Sequence, residues 1–310
     1  MKKKVRNNMR KKDFYRKRRI QRIKVLVFLL FVFISVVALR KILSLREIPI
    51  DASSVEYYIT LADNNIRERG QLSWKEIASI DAVTHDNKFK QSDDNTVNTI
   101  ASYFYDGDSS NVVDFETALD KANLSSKQRN KARDILDNLQ NVSLREKYEG
   151  KNEKKDEFIK RLSEPCIENY NKYGVLPSIS MAQAILESSW GTSELATGYN
   201  NYYGIKASSG WTGGVVNFST NENFNDTIKA NFRAYSSLEE SVDDLGQFLK
   251  NNSRYAENGL FTARNYIEQA NALENAGYAT AKNANGEAIY ADMLIDIIRE
   301  NDLMLYDMDI

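Results

Sequence analysis

A single cysteine, Cys166, in 310 residues excludes an intrachain disulfide, so the chain folds without that staple. A single histidine, His85, removes most candidates for zinc-ligand clusters and for Ser/His or Cys/His nucleophile pairs. A Cys166–His85 dyad is the one such pair left open, and no local signature surrounds either residue. Only 3 prolines and 14 glycines occur, and no low-complexity tract breaks a composition that is 42% hydrophobic and 27% charged. Hydrolytic chemistry in such a chain falls to carboxylates.

Net charge is also nearly absent, at -1, but the total hides an asymmetry. Residues 1–24 carry 13 Lys and Arg against one acid, Asp13, which leaves the remainder at roughly -13. A basic tail is joined to an acidic body. That body excludes nucleic acid as an expected partner, because phosphate binding draws on clustered Lys and Arg.

Long apolar runs are scarce too. The one present, Val25 to Leu39, is 15 residues interrupted only by Ser35. A span wants about 20 residues, and Ile42, Leu43 and Leu45 extend the apolar character beyond Arg40. We read residues 25–45 as a single transmembrane anchor, with residues 1–24 cytoplasmic by the positive-inside bias and residues 46–310 outside. A cleaved signal peptide is the alternative, and the absence of a small-x-small cleavage pattern in VVALRKILSL favours the anchor. Either reading exports the rest of the chain.

Residues 46–54 read as a spacer within a helical module, 46–150, of unknown role. Trp74, Ile77, Ile80 and Val83 recur at helical spacing, and Ser73 with Glu76 fits a capping box. Further helices are expected over 95–105, 115–122 and 127–140. The charged stretch from Lys147 to Glu157 is the expected boundary with a second domain, 155–310. There a helix over 158–173 leads to Pro177, with Ser178 expected to cap the next helix, which ends at Trp190-Gly191. Residues 211–235 alternate and contain Gly213-Gly214, the pattern of a β-hairpin. Helices resume at 237–250, opened by Ser237 and Glu240, then at 264–276 and 288–300.

Glu187 stands at the end of a helix whose interior is Ala, Ile and Leu. Apolar surroundings and the negative end of the helix dipole both disfavour its charged form, as a general acid for glycosidic cleavage requires. A solvated helix-end glutamate is the competing reading. Glu222, on the expected hairpin, is a candidate second carboxylate, and a surface charge is its competing reading. Trp190, Trp211, Tyr202, Tyr203, Tyr235 and Tyr278 suit either stacking on sugars or packing in a core.

The segment LPSISMAQAILESSWGTSELA, Leu176 to Ala196, closely resembles the signature of the glucosaminidase-domain autolysins, glycoside hydrolase family 73. The resemblance continues in order through NNYYGIK (Asn200 to Lys206), Thr220-x-Glu222, Phe232-Arg233-Ala234-Tyr235, Gly277-Tyr278-Ala279-Thr280 and Tyr290-Ala291. It covers about 158 to 307 and looks most like the membrane-associated exo-type members. It implies an α+β, lysozyme-like, mostly helical domain with a small β-hairpin lobe. It also implies hydrolysis of the β-1,4 bond after N-acetylglucosamine in peptidoglycan glycan strands. Position by position, Glu187 matches the catalytic acid, Glu222 the second carboxylate and Tyr278 the active-site tyrosine. Trp190, Asn201, Tyr203 and Tyr235 are the expected substrate-binding residues. Neither an inverting route with Glu222 as base nor a substrate-assisted route aided by Tyr278 calls for a metal or cofactor. The hairpin after Glu222 is shorter than in many relatives, and the loop from Ala281 to Ile289 is longer. A muramidase, a lytic transglycosylase and a non-catalytic wall scaffold remain the alternatives.

Overall fold

Short polar side chains decide where most helices begin. The computed structural model describes residues 49–66, 70–107, 112–140, 142, 153–222 and 226–308, and only the backbone of 153, 219–222 and 226–228. The basic tail and the 25–45 run expected to be an anchor lie outside the described residues. Among the described residues, no helix is long and apolar enough to cross a membrane.

Helix α1 (Ala52–Asn64) opens on Asp51, whose carboxylate accepts from the Ser54 N–H. The expected spacer over 46–54 is therefore too long by three residues. Helix α2 (Trp74–Thr84) is capped by Ser73, which accepts from the Glu76 N–H, the serine half of the expected capping box. Asp93 and Asp114 cap α3 (Asp94–Ser102) and α4 (Phe115–Lys121). A reciprocal capping box of Ser125 and Gln128 opens α5 (Ser126–Leu139). Helix α2 packs on α1, α3 and α5 and buries Trp74, Ile77 and Ile80 almost completely.

Helix α6 (Glu153–Tyr173) is followed by α7 (Pro177–Ser188), the centre of the second half. Every residue from Pro177 to Ile185 is buried, because small or apolar Ser, Ala, Ile and Met side chains surround the axis and the one amide, Gln183, donates to the buried Tyr290 hydroxyl. Helix α7 touches α6, and its other neighbours come from the end of the chain. Ser178 does not cap it. Pro177 takes the first helical position, where its missing N–H costs nothing. Ser178 then donates its N–H and hydroxyl to the Asp307 carboxylate at 2.9 and 2.5 Å, so the cap is supplied from 129 residues away.

Beyond α8 (Glu194–Tyr199) comes the antiparallel hairpin of β1 (Gly214–Glu222) and β2 (Asp226–Ala234). Its register runs from Gly214 opposite Ala234 to Glu222 opposite Asp226. The NNYYGIK segment lies along β2, with the Arg233 N–H donating to the Ile205 carbonyl and the Ala207 N–H to the Asn231 carbonyl. Helix α9 (Leu238–Asn251) is capped by Ser237 as expected, and α10 (Ser253–Glu257), α11 (Tyr266–Asn275) and α12 (Tyr290–Glu300) follow. A 3₁₀ turn, Leu303–Asp307, completes the set; α11, α12 and this turn all pack on α7. The architecture is mostly helical α+β with one small hairpin.

Ile50–Ile310 form one compact unit. Two polar clusters join α1–α5 to the helices at the end of the chain. Asp63 on α1 accepts from the Tyr266 hydroxyl and the Arg299 guanidinium. Asp302 accepts from the Trp74 indole N–H at 3.0 Å and pairs with Lys75 at 3.3 Å.

Candidate active site

The site is built on the way α7 stops. The Trp190 N–H donates to the Ile185 carbonyl across Ser189, a Schellman-type ending in which Ser189 takes the left-handed position usually given to glycine. Trp190 and Gly191 continue in the same region, so three successive residues have φ of 50°, 62° and 71°. Left-handed backbone at two non-glycine residues is strained, and such strain collects at functional sites. Ser188 holds the turn. Its carbonyl accepts from the Thr192 and Ser193 N–H groups, and its hydroxyl accepts from the Gly191 N–H at 2.7 Å. Gly191 is required on two counts, since a Cβ there would also sit 2.7 Å from the Phe158 ring.

Glu187 occupies the last turn of α7. Its side chain is open to solvent on one side, yet protein crowds it on the others. That desolvation pushes its pKa up, and the hydrogen bond from Tyr290 offsets part of the rise. The Tyr290 hydroxyl donates to Glu187 Oε1 at 3.1 Å, and the Gln183 amide donates to the Tyr290 oxygen at 3.1 Å. Tyr290 is the first residue of α12. Its helix start is fixed by Glu274, whose carboxylate accepts the Ala291 N–H.

Tyr278 reaches the same place from the other side. Helix α11 ends in a Schellman motif with Gly277 at φ 70°. The turn carries the Tyr278 ring onto Tyr290, stacked at 5.4 Å between centroids and 22° between planes. Burial raises the Tyr278 and Tyr290 pKa values, and the nearby Glu187 charge adds to both. Glu187 and Tyr278 are thus brought together.

The other expected residues divide. Trp190 is half-buried, with Lys155 Nζ 4.6 Å from its ring centroid. Glu222 is the last residue of β1, and its side chain lies outside the described residues. Asn201, Tyr203 and Tyr235 are buried, and none presents a free face to a ligand. Asn201 ties its own loop to β2 by donating to the Ile205 and Arg233 carbonyls. Tyr203 is enclosed beside Cys166. The Tyr235 hydroxyl donates to Asp244, which also holds Arg233 through both oxygens at 2.7 Å. Of these three expected ligand contacts, Asn201 and Tyr235 spend their polar atoms on the fold, while the buried Tyr203 hydroxyl meets no hydrogen-bond partner among the described residues.

No Cys166–His85 dyad forms. Cys166 is fully buried in α6, which pushes its thiol pKa up, whereas His85 follows α2 and contacts Thr84 and the Asp81 carbonyl. Among the described residues, no three His, Cys, Asp or Glu side chains gather to hold a metal ion. A cavity of about 590 Å³ lined by Gln71, Tyr170, Arg264, Gln269 and Asp307 lies apart from Glu187.

Two residues that matter here were not expected as site residues, Gln183 and Tyr290. The local signal for Gln183 was a lone amide inside an otherwise apolar helix. Tyr290 offered only its place in a motif.

A half-solvated carboxyl with a raised pKa, held by a tyrosine at the end of a buried helix, has the properties that a general acid for glycoside cleavage requires. Residues 163–303 match the profile of a family described as glucosaminidase, mannosyl-glycoprotein endo-beta-N-acetylglucosaminidase. This part of the chain belongs to that glucosaminidase family. The chain is similar to the exo-glucosaminidase LytG of Bacillus subtilis, 42% identical over 158 residues, covering 48% of this chain and 52% of that protein. It is also similar to the peptidoglycan hydrolase FlgJ of Salmonella typhimurium, 36% identical over 151 residues, covering 46% and 45%. The solved glycoside hydrolase domain of Salmonella typhimurium FlgJ is 35% identical and superimposes with a TM-score of 0.39, covering 49% of this chain and 90% of that one. The chain spans about half the length of the curated relatives it matches.

Proposed function

We propose that the protein hydrolyses the β-1,4 bond after N-acetylglucosamine in the glycan strands of peptidoglycan, with Glu187 as the general acid. The observation that carries this reading is the Glu187 carboxyl itself, whose pKa is raised by the protein crowding it and which is oriented by Tyr290 at the end of α7. The family of residues 163–303 and the activities that LytG and FlgJ are named for support the substrate class.

In the reaction Glu187 protonates the glycosidic oxygen as the bond to the anomeric carbon breaks and positive charge develops on the sugar ring. In the inverting route Glu222 takes a proton from an attacking water, which requires the two carboxyls about 6.5–9.5 Å apart. In the substrate-assisted route the 2-acetamido oxygen attacks, and Tyr278, stacked beside Glu187's partner Tyr290, stabilises the intermediate. Glu222 at the tip of β1 favours the inverting route. Trp190 offers the half-exposed aromatic surface for a sugar face. The fold is lysozyme-like in this reading, and residues 155–310 form the catalytic domain. Residues 46–150 form a helical module clamped to it.

Residues 25–45 anchor the chain in the membrane and hold the catalytic part outside the cell, close to the wall. The apolar run and the 13 basic residues before it support this placement. The test is clearing of purified wall in a gel by the full chain. Loss of clearing in a folded Glu187→Gln variant is the expected outcome, and clearing that survives the substitution refutes the assignment.

A further inference from the structure

The Glu187 carboxyl has two oxygens, and the protein treats them differently. Oε1 accepts the Tyr290 hydroxyl, and the structure gives no protein donor to Oε2 among the described residues. The direction of the Tyr290 hydrogen is itself set. Gln183 Nε2 donates to the phenol oxygen, which leaves the phenol proton for Glu187. Gln183 is fully buried, and its Oε1 meets no donor among the described residues. A buried acceptor without a partner lowers stability, so the amide is held with its NH₂ towards Tyr290 at a cost to the fold. The Tyr290 ring cannot swing away, because Tyr278 stacks on it and Glu274 fixes the start of its helix.

We propose that Gln183 and Tyr290 are positioning residues that direct the transferable proton of Glu187 onto Oε2. The proposal rests on the reading of Glu187 as the general acid. Before cleavage, Oε2–H carries the proton and Oε1 is satisfied by Tyr290. As the glycosidic C–O bond breaks, that proton passes to the departing oxygen, and the carboxylate left behind keeps the Tyr290 hydrogen bond. A hydrogen bond to a charged acceptor is stronger than one to a neutral acceptor, so the contact tightens as the reaction proceeds. Among the described residues, the titratable groups set against Glu187 are Tyr290 from α12 and Tyr278 from the turn after α11.

The test is the pH profile of kcat for the full chain on purified Gram-positive sacculi, with Tyr290→Phe and Gln183→Met compared to the parent. Glu187 must be protonated, so activity falls as pH rises through its pKa. Tyr290→Phe removes the hydrogen bond that lowers this pKa, so the alkaline limb moves up by about one pH unit. In the same variant kcat drops about tenfold, with KM unchanged. Gln183→Met moves both in the same directions by less. A site merely loosened by the substitution admits water and moves the limb the other way. An unmoved limb, or one moved to lower pH, in folded Tyr290→Phe overturns the proposal. If Tyr290→Phe does not fold, the limb of Gln183→Met decides by the same criterion. Glu187→Gln separates the two levels: activity retained there sinks the general-acid reading. An inactive Glu187→Gln beside an unaltered Tyr290→Phe sinks the positioning role alone.

Discussion

The Tyr266 hydroxyl donates to Asp63 Oδ2 at 2.5 Å across 203 residues of chain. The same oxygen accepts from Arg299 at 3.1 Å, and Gln71 donates to the other oxygen. One buried carboxyl on α1 thus grips α11 and α12, whose opposite ends lead to Tyr278 and begin with Tyr290. Asp63→Ala leaves a phenol and a guanidinium without their acceptor and is expected to cost about 3 kcal/mol. Asp63→Asn keeps an acceptor and costs less. Denaturant unfolding of the full chain measures both. A change below about 1 kcal/mol for Ala contradicts a clamp of this kind.

Asp307 makes stability depend on pH. Burial raises its pKa from 3.8 to about 7, against the two hydrogen bonds from Ser178 that lower it. The raised value means that the folded state binds the proton more tightly than the unfolded state. Stability from this group is complete below about pH 4 and falls as pH rises to about 7, by a few kcal/mol in all. Asp307→Asn keeps a contact to each Ser178 atom and removes that slope. Melts between pH 4 and 8 check it, and parallel curves for parent and variant refute it.

Gly191→Ala meets two separate obstacles. Its φ of 71° is costly for any residue with a Cβ, and the new atom lies 2.7 Å from Phe158. Left-handed backbone costs about 1–2 kcal/mol and overpacking about 1–3 kcal/mol more. Adding Phe158→Leu relieves only the second part. Recovery of full stability in the double variant shows that the backbone contributes nothing.

Glu187 ties activity to pH in the opposite sense from a catalytic base. Burial raises its pKa, so the acid form persists to higher pH than for a free glutamate. The alkaline limb of kcat/KM on soluble glycan strands is expected above the pKa of a free glutamate. A limb at or below that of a free glutamate contradicts the geometry.

What could be read from the chain was local. Ser73 and Ser237 cap the helices they were expected to open, and Glu187 ends an apolar helix as the SISMAQAILES pattern implied. The hairpin followed from alternation and Gly213-Gly214. What escaped reading was held by distant partners. Ser178 looked like a cap because Asp307, its true partner, lies at the far end of the chain. Asn201 and Tyr235 looked like ligand contacts because nothing nearby shows that Arg233 and Asp244 occupy their polar atoms. Gln183 and Tyr290 meet across 107 residues, which no periodicity reveals.

Glucosaminidase action through Glu187 is tested at the bond itself by reducing-end analysis of purified peptidoglycan digested by the full chain, with Glu187→Gln as the control. New N-acetylglucosamine reducing ends that vanish in the variant are the expected result. Muramic acid or anhydromuramic ends, or N-acetylglucosamine ends that persist with Glu187→Gln, contradict it.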